Sequence, residues 1–169
     1  MRYIKLYEQT ALEHRVRRRL DGSVEWEQWR LDGKRHREDG PAWIRYRPDG
    51  SVEWEGWYLD GKLHRKDGPA RIWYYADGSI ESESWHLIGK LHREDGPAWI
   101  QYRPDGSIEE EDWHLDDKMH REDGPASIEY REDGSVEEES WWLDGEKVKD
   151  VTSQEEFEAW KYLKSVGLV

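Results

Sequence analysis

Short stretches in which apolar and charged residues alternate, cut by Asp-Gly pairs, recur along almost the whole chain. In Ile44-Arg45-Tyr46 and Val52-Glu53-Trp54 the period is two, which marks β-strands with distinct faces. Between them, Arg47-Pro48-Asp49-Gly50-Ser51 places Pro, Asp and Gly where a type I turn followed by a left-handed glycine needs them. This spacing pairs Arg47 with Ser51, Tyr46 with Val52, Arg45 with Glu53 and Ile44 with Trp54. It sets Ile44, Tyr46, Val52 and Trp54 on one face and an Arg45–Glu53 charge pair on the other. A second signal, Leu59-Asp60-Gly61-Lys62, suits a short hairpin. Pro69 has no amide proton, so Asp67-Gly68-Pro69 is expected to bend or break the strand. Val52 and Trp57 face opposite sides unless a bulge intervenes near Glu55–Gly56, and both options stand.

The pattern is a tandem repeat. Asp-Gly-Pro-Ala recurs at Asp39–Ala42, Asp67–Ala70, Asp95–Ala98 and Asp123–Ala126, a period of 28 residues. His-Arg keeps step at His36, His64, His92 and His120, and so does tryptophan at Trp29, Trp57, Trp85, Trp113 and Trp141. Units near 14–30, 31–58, 59–86, 87–114 and 115–142 follow, the first of them degenerate. Two strands per unit predict an all-β fold: an antiparallel meander of about nine or ten strands, single-layered or curled. Past Gly145 the pattern fades, and a second region, 151–169, begins after the 1–150 array. Thr152 with Glu155, or Ser153 with Glu156, forms a capping box. Phe157, Trp160, Tyr162, Leu163 and Val166 follow at roughly helical spacing, predicting a helix near 153–165 that caps the last hairpin.

Composition narrows the possibilities. With 12 Trp and 9 Tyr the chain is too aromatic for acidic disorder, although 38% of it is charged. No apolar run approaches a membrane span, and the opening MRYIKLYEQT lacks a signal peptide's apolar stretch. The absence of cysteine removes disulfides and thiol chemistry and fits a cytoplasmic location. A net charge of −13 argues against direct nucleic-acid or anionic-membrane binding and favours a basic partner.

The Asp-Gly turns, aromatic strands and tandem hairpins over about residues 14–145 resemble MORN-type repeats, especially longer bacterial and phage variants of antitoxin type. The His-Arg-x-Asp-Gly-Pro-Ala block departs from the shorter MORN unit. The resemblance implies a binding or scaffolding protein whose partner differs from member to member.

Residue chemistry points away from an enzyme. Successive repeat histidines lie about 10 Å apart, too far to share a zinc with ligand distances of about 2.0–2.1 Å. Each histidine is expected to brace its own Asp-Gly-Pro bend. No segment has the acidic spacing of an EF-hand loop, and no phosphate loop or nucleophile motif is present. The tryptophan series reads as framework. No cofactor is expected.

Variation between repeats carries the functional signal. Three aligned columns change most: Arg17, Arg45, Trp73, Gln101, Glu129; then Trp26, Trp54, Ser82, Glu110, Glu138; then Arg30, Tyr58, His86, His114, Trp142. Charge also shifts along the chain, from a net +2 over residues 1–78 to −15 over 79–169. Glu81, Glu83, Glu109, Glu110, Glu111 and Asp112, with Glu137, Glu138 and Glu139, are expected to form one negative field on adjacent strands. Trp73, His86, His114 and Trp142 would join it as partner contacts. The expected function is a non-enzymatic inhibitor, antitoxin-like or phage anti-defence, that engages a basic nucleic-acid-handling protein such as a nuclease. The alternatives are a self-assembly module, in which homo-oligomers form through sheet faces or edges, and an aromatic platform for a carbohydrate or nucleotide.

Overall fold

A computed structural model of the protein describes residues 12–169; the reading of the first ten residues concerns positions outside these. Each Asp-Gly-Ser turn closes as the sequence predicts. In the second unit the Arg47 amide donates to the Ser51 carbonyl at 2.8 Å, and Gly50 takes a φ of 89°. The Ser51 amide and hydroxyl donate to Asp49 Oδ1 at 2.9 and 2.7 Å, which holds the Asp49 carboxyl below its ordinary pKa. The same Asx turn recurs at Asp21, Asp77, Asp105 and Asp133.

The strands joined by these turns pair only with their neighbours in sequence. Ten of them, from Glu13–Arg18 to Val136–Leu143, run as one open antiparallel meander; the short strands Lys34–Arg35 and Glu146–Val148 extend it to twelve. Three two-residue hairpins, the first pairing Tyr58–Leu59 with Lys62–Leu63, continue alternate strands beyond the main ladder. Their turns need left-handed residues at both centres: Asp60 has φ 50° and Gly61 φ 83°. In the next unit a β-branched, exposed Ile88 takes φ 51° at this position.

The register differs from the sequence expectation by one residue. Tyr46 does pair with Val52, but a bulge follows, so that Arg45 pairs with Trp54 and Ile44 with Glu55. Glu53 is the extra residue, and the Arg45–Glu53 ion pair forms across it at 2.9 Å. The same irregularity recurs in every unit, between Arg17 and Arg18, Trp73 and Tyr74, Gln101 and Tyr102, and Glu129 and Tyr130. A bulge thus brings Val52 and Trp57 to one face, but it lies at the strand's start instead of near Glu55–Gly56.

The repeat histidines are structural, with a different partner from the expected one. The Asp60 amide donates to His36 Nδ1 at 3.3 Å, so His36 braces the hairpin turn of the next unit. Ile88, Asp116 and Asp144 make the same bond to His64, His92 and His120. The Asp-Gly-Pro bend is held by the adjacent arginine. Arg93 Nε donates to Asp95 Oδ1 at 3.0 Å, Arg93 Nη1 donates to the Pro97 carbonyl at 3.3 Å, and the guanidinium sits 4.1 Å from the Trp85 ring centroid. Equivalent stacking on Trp29, Trp57 and Trp113 makes these indoles framework.

The helix α1, Gln154–Ser165, closes the array. Ser153 is its N-cap, accepting from the Glu156 amide at 3.3 Å. Glu156 in turn accepts from the Thr152 amide at 2.7 Å, completing the capping interaction. Phe157 is fully buried against Trp141 and Val148, while Tyr162 stands exposed, outside the apolar stripe. No helix among the described residues is long and apolar enough to cross a membrane.

A candidate protein-interaction face

Directly paired residues on adjacent strands share a face. Following the partners across the sheet therefore sorts every strand position onto one of two sides. The first side carries an alternating row: Ile44, Glu55, Ile72, Glu83, Ile100, Glu111, Ile128, Glu139. Tyr74, Tyr102 and Tyr130 lie beside it and donate their hydroxyls to Glu55, Glu83 and Glu111 at 2.7, 2.8 and 2.7 Å. In the four complete units every one of these positions keeps its residue type. This is the constant face.

Burial, and then the neighbouring glutamate, push these tyrosine hydroxyls above their ordinary pKa, Tyr130 up to about 12. A raised phenol pKa in the folded state favours the neutral form. Its contribution is complete below about pH 10, the unfolded value, and disappears as pH rises toward 12. Denaturation midpoints are therefore expected to fall as pH rises from 10 toward 12, ahead of phenolate formation by these tyrosines in the folded protein. A midpoint that stays unchanged between pH 10 and 12 would show that these hydroxyls contribute no pH-linked stability.

The opposite side holds what changes. One ladder begins Arg17, Trp26, Arg45, Trp54, Trp73. It continues Ser82, Gln101, Glu110, Glu129, Glu138. The first two variable columns of the sequence thus alternate along a single row. The third column, from Arg30 to Trp142, lies on the same side, four residues beyond the second column on alternate strands and their hairpin continuations. A parallel row that reading the sequence passed over also varies: Trp43, Gly56, Arg71, Ser84, Trp99, Asp112, Ser127. Aligning columns at 28-residue spacing would have found it.

Chemistry grades along this variable face. Toward the N-terminus it is aromatic and cationic. Trp54 is buried between Trp43, edge-on at 4.5 Å, and Trp73, stacked at 5.6 Å, with the Arg35 guanidinium 3.5 Å from the Trp43 ring centroid. The bulge carboxylates Glu25 and Glu53 are neutralised there by Arg17 and Arg45, both at 2.9 Å. Toward the C-terminus the partners change while the bulge glutamate stays: Glu81, Glu109 and Glu137 sit beside Trp73, Gln101 and Glu129. Partial burial, then Asp112, Glu129 and Glu109, push the Glu110 carboxyl above its ordinary pKa. That is the mark of carboxylates crowded without cations.

The expected negative field therefore divides between two sides. Glu81, Glu109, Glu110, Asp112, Glu137 and Glu138 share the variable face with Trp73, His86, His114 and Trp142. Glu83, Glu111 and Glu139 lie on the constant face, where Glu83 and Glu111 hold tyrosines. Glu129, directly between Glu110 and Glu138, belongs to the field and was missing from the expected contacts.

Near the middle, Arg71, Trp73, Ser82, Ser84, His86 and Trp99 line a small cleft of about 160 Å³. Burial, and then Arg71, push the His86 imidazole down to about 4, so it is neutral at pH 7. Larger clefts of about 570 to 870 Å³ recur between successive His-Arg-x-Asp-Gly-Pro segments and are lined by framework residues such as Trp113, His120 and Arg121. Among the described residues no three metal-ligating side chains converge.

No protein-family model, curated protein or solved structure matches the chain.

Proposed function

We propose that the chain is a non-enzymatic protein-binding scaffold whose variable face engages a basic protein surface through its acidic half. The observation that carries this reading is the division of the sheet. Repeat-to-repeat variation collects on one side, while the other keeps the constant Ile–Glu row and its tyrosine hydrogen bonds. A face free to vary and bearing crowded, unneutralised carboxylates at its C-terminal end attracts cationic surfaces and speeds their encounter. Because such surfaces commonly grip nucleic acid, the partner class is a nuclease or another nucleic-acid-handling protein. The role is inhibition in a bacterial or phage-infected cytoplasm, in keeping with the resemblance to MORN-like, antitoxin-type repeats. The protein itself binds neither nucleic acid nor membrane in this reading.

The test is a fourfold charge reversal, Glu109→Lys, Glu110→Lys, Glu137→Lys and Glu138→Lys, with capture of partners at low and high ionic strength. A basic partner held at low salt, released at high salt and bound at least about tenfold more weakly by the variant is the expected result. Its circular dichroism should match that of the parent, because all four side chains leave the constant face untouched. Equal capture by parent and variant would overturn the acidic-face reading.

A further inference from the structure

The variable face has a second property, visible when its ladder is read from both ends. A two-fold axis parallel to the strands turns one sheet to face another, keeps the height of each residue along its strand and reverses the strand order. Ten strands then meet first over tenth, second over ninth, and so on. Along the main row Arg17 falls opposite Glu138, Arg45 opposite Glu110, and Trp54 opposite Gln101, with Trp73 opposite Ser82 at the axis. Both arginines of this row meet a carboxylate, and the central indole meets a small hydroxyl. Packed sheets stand about 10 Å apart with their facing side chains interdigitated. In the second row Trp43 falls opposite Asp112.

We infer that a second copy of this chain docks on the variable face in this two-fold, order-reversed arrangement. The inference rests on the proposed function only in taking the variable face as the binding face. The occupant follows from charge complementarity within one sequence: the cationic, aromatic half of the face is a built-in counterpart of its acidic half. An interface between identical patches on two subunits is the commonest symmetric solution. Ten strands about 4.8 Å apart, carrying a band about 13 Å deep, offer on the order of 600 Å² per copy, the low end for specific interfaces. The dimer is therefore weak and concentration-dependent, and a basic partner competes with it for the acidic half.

Sedimentation velocity of the full chain over a concentration series tests this. The parent should show a monomer–dimer equilibrium that weakens as salt is added. Arg45→Glu and Glu110→Arg should each weaken dimerisation by about tenfold or more, because each places like charges opposite one another twice. Mixing the two variants should restore dimers, since in the mixed pair every 45–110 contact again joins opposite charges. A parent that stays monomeric throughout, or a dimer that neither variant alters, overturns the inference. The proposed function is read separately: Arg45→Glu keeps the acidic half intact and should still bind a basic partner, whereas the fourfold lysine variant should not.

Discussion

Phe157→Ala is expected to lower the free energy of unfolding by about 3–5 kcal/mol. Phe157 is the one large side chain among the described residues that is fully buried, its ring 4.9 Å from Trp141 and 6.2 Å from Trp160. Truncation removes that apolar area and leaves a cavity at the place where the helix α1 meets the sheet. In a quasi-one-dimensional array each unit is stabilised by its neighbours, and the last one depends on its cap. Trp141 and Val148, at 4% and 3% exposure, would be uncovered as the helix detaches. Urea denaturation followed by tryptophan fluorescence measures the loss, and hydrogen exchange should locate it in the last two strands first. A loss below about 1 kcal/mol would show that α1 contributes little to the array.

Ala70→Leu should be comparably damaging through the opposite mechanism, overpacking, with a loss of about 3 kcal/mol. Ala70 has no exposed surface and packs with Ala42, Tyr58, Leu63 and Trp43. Its backbone is also clamped: its amide donates to the Ser84 carbonyl at 2.8 Å and its carbonyl accepts from the Trp57 amide at 2.7 Å. A leucine there cannot be relieved by moving the main chain without breaking both links between consecutive strands. Because Ala70 lies mid-array, the halves on either side should lose cooperativity. Unfolding followed by tryptophan fluorescence and by far-ultraviolet circular dichroism should then no longer coincide. Coincident transitions with an unchanged midpoint would show that the alanine column is not limiting.

Much of this architecture was legible because each turn is encoded by a few residues with one conformational preference. Asp49-Gly50-Ser51 and Asp60-Gly61 specify their own geometry, and Ser153 with Glu156 does the same for the helix start. The bulge at Glu53 has no such local signature, since glutamate suits either a regular or a bulged site. Yet a single extra residue moves every later side chain to the other face. That is why Trp54 lies on the side opposite Ile44 instead of beside it, whereas Glu110 and Glu111, being consecutive strand residues, face opposite sides with or without the bulge. The histidine partner was hidden for another reason. With every feature repeating at 28 residues, spacing alone favours no choice between a bend in the same unit and a turn in the next. The tie from His36 to Asp60, across 24 residues, is settled only by the stacking of one hairpin on another.

That stacking makes each unit's grip on its successor the same kind of grip. His36 reaches Asp60 as His92 reaches Asp116, and the Gly61 amide donates to the Arg35 carbonyl as Gly89 does to Leu63. An added or deleted whole unit would meet joints it already fits, whereas a change of any other length would leave a turn without its histidine. The array is in effect a ruler graduated in steps of two strands, about 10 Å each. Gene-level duplication could lengthen the reach of the molecule mark by mark, and each new mark would arrive with a blank outer surface on which a new contact could be written.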